Sequence, residues 1–381
     1  MKSLNQKVVI VAVLILANVS FAGTYSGGSG TEIEPYQIGN PDDWQELMTT
    51  SEDWNKHFIL TADVNLAGVT LRPVGGTIMM WGGPPFTGVF DGNNHIISNA
   101  VINRPDRDFI GLFGHVSVGQ IRNLGVEDVN MTGRDFVGGL VGVNPEGTLT
   151  ACYATGAVSG GDSVGGLVGV NSGTLTACYA TGAVSSTWGI VGGLVGNNNE
   201  GTITACYATG SVSGDDAVGG LVGCNMAGNN IGTITSCYAT GSVSGTGRNS
   251  MIGGLVGLNF GTITSCYATG AVSGTGQYSY VGGLVGRIFT GGTLTACFWD
   301  IQTSGQMTSA GGTGKTTAEM KMLSTFTEAG WDFVDAWGIG NGQTYPYLKP
   351  FNGINTADLN YDGTVDFEDF AILAANWLSG I

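Results

Sequence analysis

Short apolar runs, none longer than about six residues, the usual strand length, recur between glycines from Gly138 to Cys297. Six times the chain spells Gly-Gly-Leu-Val-Gly, starting at Gly138, Gly165, Gly192, Gly219, Gly253 and Gly282, at intervals of 27, 27, 27, 34 and 29 residues. Each copy is followed by a link, by Gly-Thr-Leu/Ile-Thr-Ala/Ser-Cys, and by Tyr-Ala-Thr-Gly, or by Phe-Trp-Asp in the last copy. A period in this range signals stacked repeats. In the third copy the runs Val191–Val195, Thr202–Tyr207 and Ser211–Ser213 predict three short strands per unit. Good helix formers are sparse and glycine abundant, which argues against an α-solenoid. One such unit cannot bury its apolar side chains alone and must stack on its neighbours. The predicted fold is all-β: a parallel β-helix with coils of about 27–34 residues and capped ends. A β-propeller is the runner-up, but its blades need about 40 residues or more.

Stacking places equivalent residues above one another at roughly 4.8 Å. It predicts a leucine column, Leu140, Leu167, Leu194, Leu221, Leu255 and Leu284, beside a valine column, Val141, Val168, Val195, Val222, Val256 and Val285. Strict alternation would expose one of the two. A corner at the flanking glycines would turn both inward.

The phrase GGLVGxNxGTITACYATGxVSG resembles the GLUG-motif repeat of bacterial surface and secreted proteins, over most of residues 110–300. The resemblance implies a secreted β-solenoid, often beside adhesive or polysaccharide-related modules. It says little about activity.

The flanks read as caps. Residues 23–30 form a Gly/Ser leader, and Tyr36–Ile38 a short strand. Asn40-Pro41-Asp42-Asp43 opens a helix, with Asn40 as cap, Pro41 in the first turn and acids at the positive end. Trp44, Leu47 and Met48 share one face, so the helix is expected to cover the open end of the solenoid and protect its first strand edge. Phe58–Asn65 and Val89–Ile102 read as strands, and Gly111–Gly114 as a degenerate first repeat. Residues 23–109 are thus a cap with the first coils, 110–300 the repeat array and 301–349 a closing cap. In that cap Glu319–Leu323 is a candidate helical turn. Trp331, Phe333, Trp337, Tyr345 and Tyr347 supply core, or alternatively a sugar platform.

Charge narrows the partners. Only 11% of residues are charged, yet the net charge is −16, which argues against nucleic acid and anionic membranes. Residues 1–22 read as a secretory signal peptide: Lys2 and Lys7, an apolar core from Val8 to Ala17, and Ser20-Phe21-Ala22 before the cleavage point. No second apolar stretch of spanning length follows. The expected location is extracellular, secreted or at the cell surface.

The sharpest chemical motif lies near the C-terminus. Asp358, Asn360, Asp362, Asp366 and Asp369 fall at positions 1, 3, 5, 9 and 12 of a twelve-residue loop, with Gly363 at position 6 and Thr364 offering its carbonyl. Hard oxygens at this spacing wrap the chain around one Ca²⁺. Position 12 is Asp rather than Glu, so its side chain must reach further. Phe370, Leu373, Ala374, Trp377 and Leu378 follow at helical spacing. Residues 358–381, joined by the linker 350–357, resemble a dockerin calcium-binding repeat. Dockerins typically carry two such segments and this chain one, which leaves a cohesin-like receptor in question.

Other constellations carry less. Ser309–Thr316 nearly spells a phosphate-binding loop, but Ser309 replaces the first glycine, and the stretch reads as a flexible turn. Cys152, Cys178, Cys206, Cys237, Cys266 and Cys297 share one repeat position. A column of small buried thiols fits stacking better than disulfides, whose dihedral parallel side-chain vectors match poorly. Zinc is not expected, since no Cys-x-x-Cys occurs. Acidic residues of the array sit mostly singly in links; Asp215-Asp216 is the one adjacent pair, and Asp106, Arg107 and Asp108 are the place where a site could assemble. The expectation is a non-enzymatic structural or adhesive solenoid that binds Ca²⁺. The alternative is an extracellular polysaccharide-degrading enzyme or carbohydrate-binding subunit. The inserts Met226–Ile231 and Thr246–Ser250, with Gln277–Tyr280, are the expected ligand-binding edge.

Overall fold

The computed structural model describes residues 23–76, 83–228 and 231–349. The expected signal peptide, the linker and the calcium segment 358–381 lie outside the described residues.

The chain is a parallel β-solenoid. The coil after Gly165 runs through Val168–Asn171, Thr174–Thr176, Tyr179–Ala180 and Ala183–Ser186 to Val191–Gly192. These segments stack into a seven-stranded, a six-stranded and a 23-stranded sheet. Valine pairs with valine from coil to coil: Val141 with Val168, Val195, Val222, Val256 and Val285 in turn.

The strands are shorter than the apolar runs predict. Val191–Val195 breaks at Gly193-Leu194, and Thr202–Tyr207 breaks at Ala205. The second break has a repeated cause. The residue before each ladder cysteine adopts a left-handed conformation: Ala151, Ala177, Ala205, Ser236, Ser265 and Ala296 have φ of 51–56°. Such a backbone costs a non-glycine residue roughly 1–2 kcal/mol, and here it turns the following thiol inward.

The glycine corner resolves the conflict between the two apolar columns. All six leucines and all six valines are buried, each worth about 1.5–3 kcal/mol. A Cβ on Gly192 would strike the Val195 carbonyl, so the corner closes only without a side chain. Gly210 is likewise fixed by the Gly182 carbonyl of the preceding coil.

A third column runs beside them. Asn144, Asn171, Asn198, Asn225 and Asn259 are buried. The amide of each of the first four donates to Oδ1 of the next at 2.8–2.9 Å. Each also donates to a carbonyl in its own link, as Asn198 does to Gly201 at 2.9 Å. Burying an amide is tolerable only with such partners.

At the N-terminal end the helix is Pro41–Thr49, capped by Asn40 as expected. Trp44 sits edge-on to Phe90 and Phe113, at 5.8 and 6.0 Å between ring centroids. The Arg72 guanidinium donates to the Met48 carbonyl at 2.7 and 3.0 Å, placing a cation at the helix C-terminus. The helix therefore seals the aromatic interior. The first strand edge is protected differently from the expectation: the Gly/Ser leader pairs with it, through Gln37 N–H to Gly27 O at 2.8 Å and Ser26 N–H to Gln37 O at 3.2 Å.

The C-terminal segment also departs from a simple end cap. Thr313–Lys315 pairs with Phe298–Asp300 and extends the sheet. Residues beyond it turn back along the flank. There Tyr153, Tyr179, Tyr207, Tyr238 and Tyr267 stack face to face at 4.7–5.1 Å. Trp331 and Trp337, 4.6 Å apart, lean on the last of these rings, and the Tyr267 hydroxyl donates to the Pro346 carbonyl at 2.5 Å. The helical turns are Thr317–Met320 and Leu323–Thr327, so the expected turn at Glu319–Leu323 is split in two, with Lys321 and Met322 between them.

Candidate functional site

The six-stranded sheet carries the densest chemistry. Asp135 pairs with Asp162 in the ladder. The bridge between Ile110 and Val137 sets Asp108 beside Asp135, and the pairing of Val164, Val191 and Val218 sets Asp216 one coil past Gly189. Asp108, Asp135, Asp162 and Asp216 thus share one column, interrupted by Gly189. The interval of 27 residues between the first three was visible in the sequence; reading the acids as isolated in links missed it.

Arg134 holds the first end of this column. Its Nε donates to Asp108 Oδ1 at 2.6 Å and its Nη2 to Asp108 Oδ2 at 2.5 Å, and Asp135 lies 3.7 Å away. Asp106 faces Arg107 at 3.6 Å. The expected cluster at 106–108 therefore assembles as an ion-pair network joined by Arg134 and Asp135. Burial raises the Asp135 pKa above the usual carboxylate range, and the charges of Asp108 and Asp162 add to it, against the opposing pull of Arg134. Its Oδ1 is buried without a hydrogen-bond partner. Asp216 is raised for the same first reason, burial, with Asp162 next. Next to the column stands Trp188, 58% exposed, with its indole edge lying where a side chain on Gly161 would fall.

The same face changes character in the last two coils. Tyr278 and Tyr280 are 65% and 45% exposed. Arg248 lies 5.5 Å from the Tyr278 ring centroid, and Arg287 lies 4.4 Å from Tyr280 and 4.3 Å from Phe289. Phe289 stacks on Phe260 at 4.9 Å. Of the segments singled out as a ligand-binding edge, Thr246–Ser250 supplies Arg248 and Gln277–Tyr280 supplies Tyr278 and Tyr280; Met226–Ile231 closes on itself through the bridge between Ala227 and Ile231.

The calcium ligands Asp358, Asn360, Asp362, Thr364, Asp366 and Asp369 lie outside the described residues. Among the described residues no group of three His, Cys, Asp or Glu could hold a metal ion. All seven cysteines are free and buried. Cys178 Sγ donates to Thr176 O at 3.3 Å and Leu149 O at 3.6 Å. Burial, with Asp216 and Asp162 nearby, pushes the off-register Cys224 thiol up to about 12. Ser309–Thr316 is not a flexible turn: Ser309 Oγ accepts from Val285 N–H at 2.9 Å, and Thr313–Lys315 is a strand. Trp331, Phe333, Trp337 and Tyr345 belong to the cluster over the tyrosine flank, consistent with a packing role. The missed signal was the tyrosine in every Tyr-Ala-Thr-Gly, an outward aromatic column that needed a cover.

These features define a β-solenoid with an outward charged and aromatic face. The family described as the GLUG motif matches residues 214–244 and 248–273. It is 34% identical over 142 residues, 35% of the chain, to halomucin of Haloquadratum walsbyi, and 46% identical over 56 residues, 15% of the chain, to a candidate Gly-rich membrane protein of Evansella cellulosilytica. These matches span only 2% and 6% of the two relatives. Among solved structures, a candidate immunoglobulin A1 protease from Bacteroides ovatus aligns over 85% of this chain and 95% of its own, with a TM-score of 0.55 at 22% identity. At that identity the likeness concerns the fold. No helix among the described residues is long and apolar enough to cross a membrane.

Proposed function

We propose that the protein is a secreted or cell-surface GLUG solenoid with a structural and adhesive role, presenting its repeated outer face to partners. The observation that carries this is the outer face itself: side chains recur once per coil, in columns, over a rod whose interior is closed by buried leucine, valine and asparagine. A periodic surface suits a repetitive partner, such as a polysaccharide. The relatives named halomucin and a Gly-rich membrane protein favour a surface location. Beads coated with the secreted chain should adhere to polysaccharide gels or to cells without releasing reducing ends or unsaturated sugars. Product release from a glycan panel would favour the polysaccharide-degrading alternative instead, and absence of adhesion to every surface would reject the role.

The C-terminal loop is the second part of the proposal. Asp358, Asn360, Asp362, Asp366 and Asp369, with the Thr364 carbonyl, would bind one Ca²⁺ in the dockerin manner and could dock to a cohesin-like receptor. The charge and spacing of those oxygens support it. Calorimetry on the full chain should show that Asp358→Ala and Asp362→Ala each abolish Ca²⁺ binding while the strand-type circular dichroism persists. Unchanged affinity in both would reject the assignment.

A further inference from the structure

From the chemistry of the last two coils we infer that Arg248, Tyr278, Tyr280, Arg287 and Phe289 form a binding platform for an extended anionic polysaccharide. This deepens the adhesive reading and rests on it.

The first ground is charge. Between Arg134 and Asp300 the only basic residues are Arg134, Arg248 and Arg287. Arg134 is held by Asp108. Arg248 and Arg287 make no ion pair among the described residues. On a chain of net charge −16 the two unpaired guanidiniums meet on one face, in adjacent coils. The nearest acids on that face, Asp215 and Asp216, lie one coil further toward the N-terminus, and Thr246 Oγ1 donates to Asp215.

The second ground is the shape of the guanidinium site. Arg287 lies between two rings, Tyr280 and Phe289, with Phe260 backing Phe289. Stacking satisfies the faces of a guanidinium and orients it, while its N–H donors lie at the edges. Those edges match the two oxygens of a carboxylate or a sulfate ester. A loop contact of this kind is useful only if the loop holds still. Ser250 Oγ bonds Gly247 O at 2.7 Å and Asp215 O at 2.6 Å, and Ser279 Oγ bonds Gly247 O at 3.1 Å. The loops bearing Arg248 and Tyr278 are thereby pinned one on the other.

The third ground is spacing. Successive coils rise by roughly 4.8 Å, close to the length of one sugar unit in an extended chain. Tyr278 and Tyr280 belong to one coil, Tyr280 pairing with Met251 of the coil that carries Arg248, so a polymer lying along the axis would meet the Arg248 guanidinium on one coil and a tyrosine face with Arg287 on the next. Carboxylated and sulfated glycans share this chemistry, and the test separates them.

The test uses the full secreted chain and affinity electrophoresis in gels containing polygalacturonate, fully methyl-esterified polygalacturonate, dextran sulfate or dextran. Retardation is expected with polygalacturonate or dextran sulfate, and not with the two uncharged polymers. It should weaken as salt rises. Arg287→Ala and Tyr280→Ala should each weaken binding roughly tenfold to a hundredfold, the range of a charge-assisted contact. Arg287→Lys should recover only part of it, since an ammonium lacks the planar fork. Arg104→Ala, on the exposed N-terminal side, should change nothing. Equal binding to the esterified polymer, or full binding by Arg287→Ala with an unchanged circular dichroism spectrum, would overturn the platform and leave the adhesive role standing. No retardation by any charged polymer at low salt would also overturn it, and the bead assay then decides the adhesive role separately.

Discussion

The side-chain amide of Asn171 donates to Oδ1 of Asn198 at 2.9 Å, although 27 residues separate the two in the chain. The contact exists because one coil returns the backbone to the same place one strand higher. It also makes each asparagine depend on the next, as a polar column in a dry interior must.

Removing one asparagine from the middle of the column should therefore cost more than removing one from its end. Asn198→Ala deletes the donations to Asn225 and Gly201 and leaves the Asn171 amide without its cross-coil acceptor. A loss of about 2–4 kcal/mol is expected from the missing bonds and the orphaned donor. Asn144 is the first of the column, and its Oδ1 has no partner among the described residues. Asn144→Ala should cost about half as much. Urea denaturation of the two variants, with slopes compared, measures the difference.

The cysteine column yields a chemical prediction. All seven thiols are free and buried, and burial pushes those of Cys152, Cys206 and Cys266 up. A buried neutral thiol is a poor nucleophile. The native protein should leave a thiol reagent unreacted, and the unfolded protein, never reduced, should titrate all seven. A shortfall after unfolding would mean that disulfides cross the column.

Two aspartates should respond to pH in opposite directions. Asp300 is buried, which alone would raise its pKa, but Gln302 N–H, Thr303 N–H, Thr317 Oγ1 and Tyr345 OH donate to it at 2.7–3.1 Å and lower it on balance. A depressed pKa stabilises the fold above the unfolded value, near 3.9, and the gain is lost as pH falls through the folded value. Asp300→Asn should cost about 1–3 kcal/mol at pH 7 and progressively less in acid. Asp135 is raised, by burial first and by Asp108 and Asp162 next. Its favourable contribution is complete below the unfolded value and lost as pH rises through the folded one. Asp135→Asn should stabilise the protein at pH 7 and be neutral near pH 3. Thermal melts of both variants across that window check the two signs.

Much of this was legible in the sequence. The leucine and valine columns followed from six copies of one phrase, and the Asn40-Pro41 start of the first helix followed from capping chemistry. The asparagine column was equally available, six residues after each of the first five Gly-Gly-Leu-Val-Gly starts, with Ile288 at that place in the sixth, but a polar residue inside a link reads as a turn until its partner one coil away is placed. Two features were hidden for physical reasons. The break at Ala205 needs a left-handed backbone at a residue that disfavours it. The fold-back of Trp331 and Trp337 over Tyr267 joins segments with no shared period, so no spacing announces it. The aspartate column was partly legible, and Gly189 disguised it by breaking the count.

The coils are interchangeable storeys of one stack, each in register with the next. Deleting residues 192–218, one full coil, joins Val191 to Gly219 where Gly192 had followed, and Gly192 pairs with Gly219 in the ladder. Urea unfolding of that variant should remain cooperative with a strand-type spectrum, while deletion of residues 192–204, half a coil, should abolish the transition. Equal loss of folding in both deletions would mean that the coils are not interchangeable.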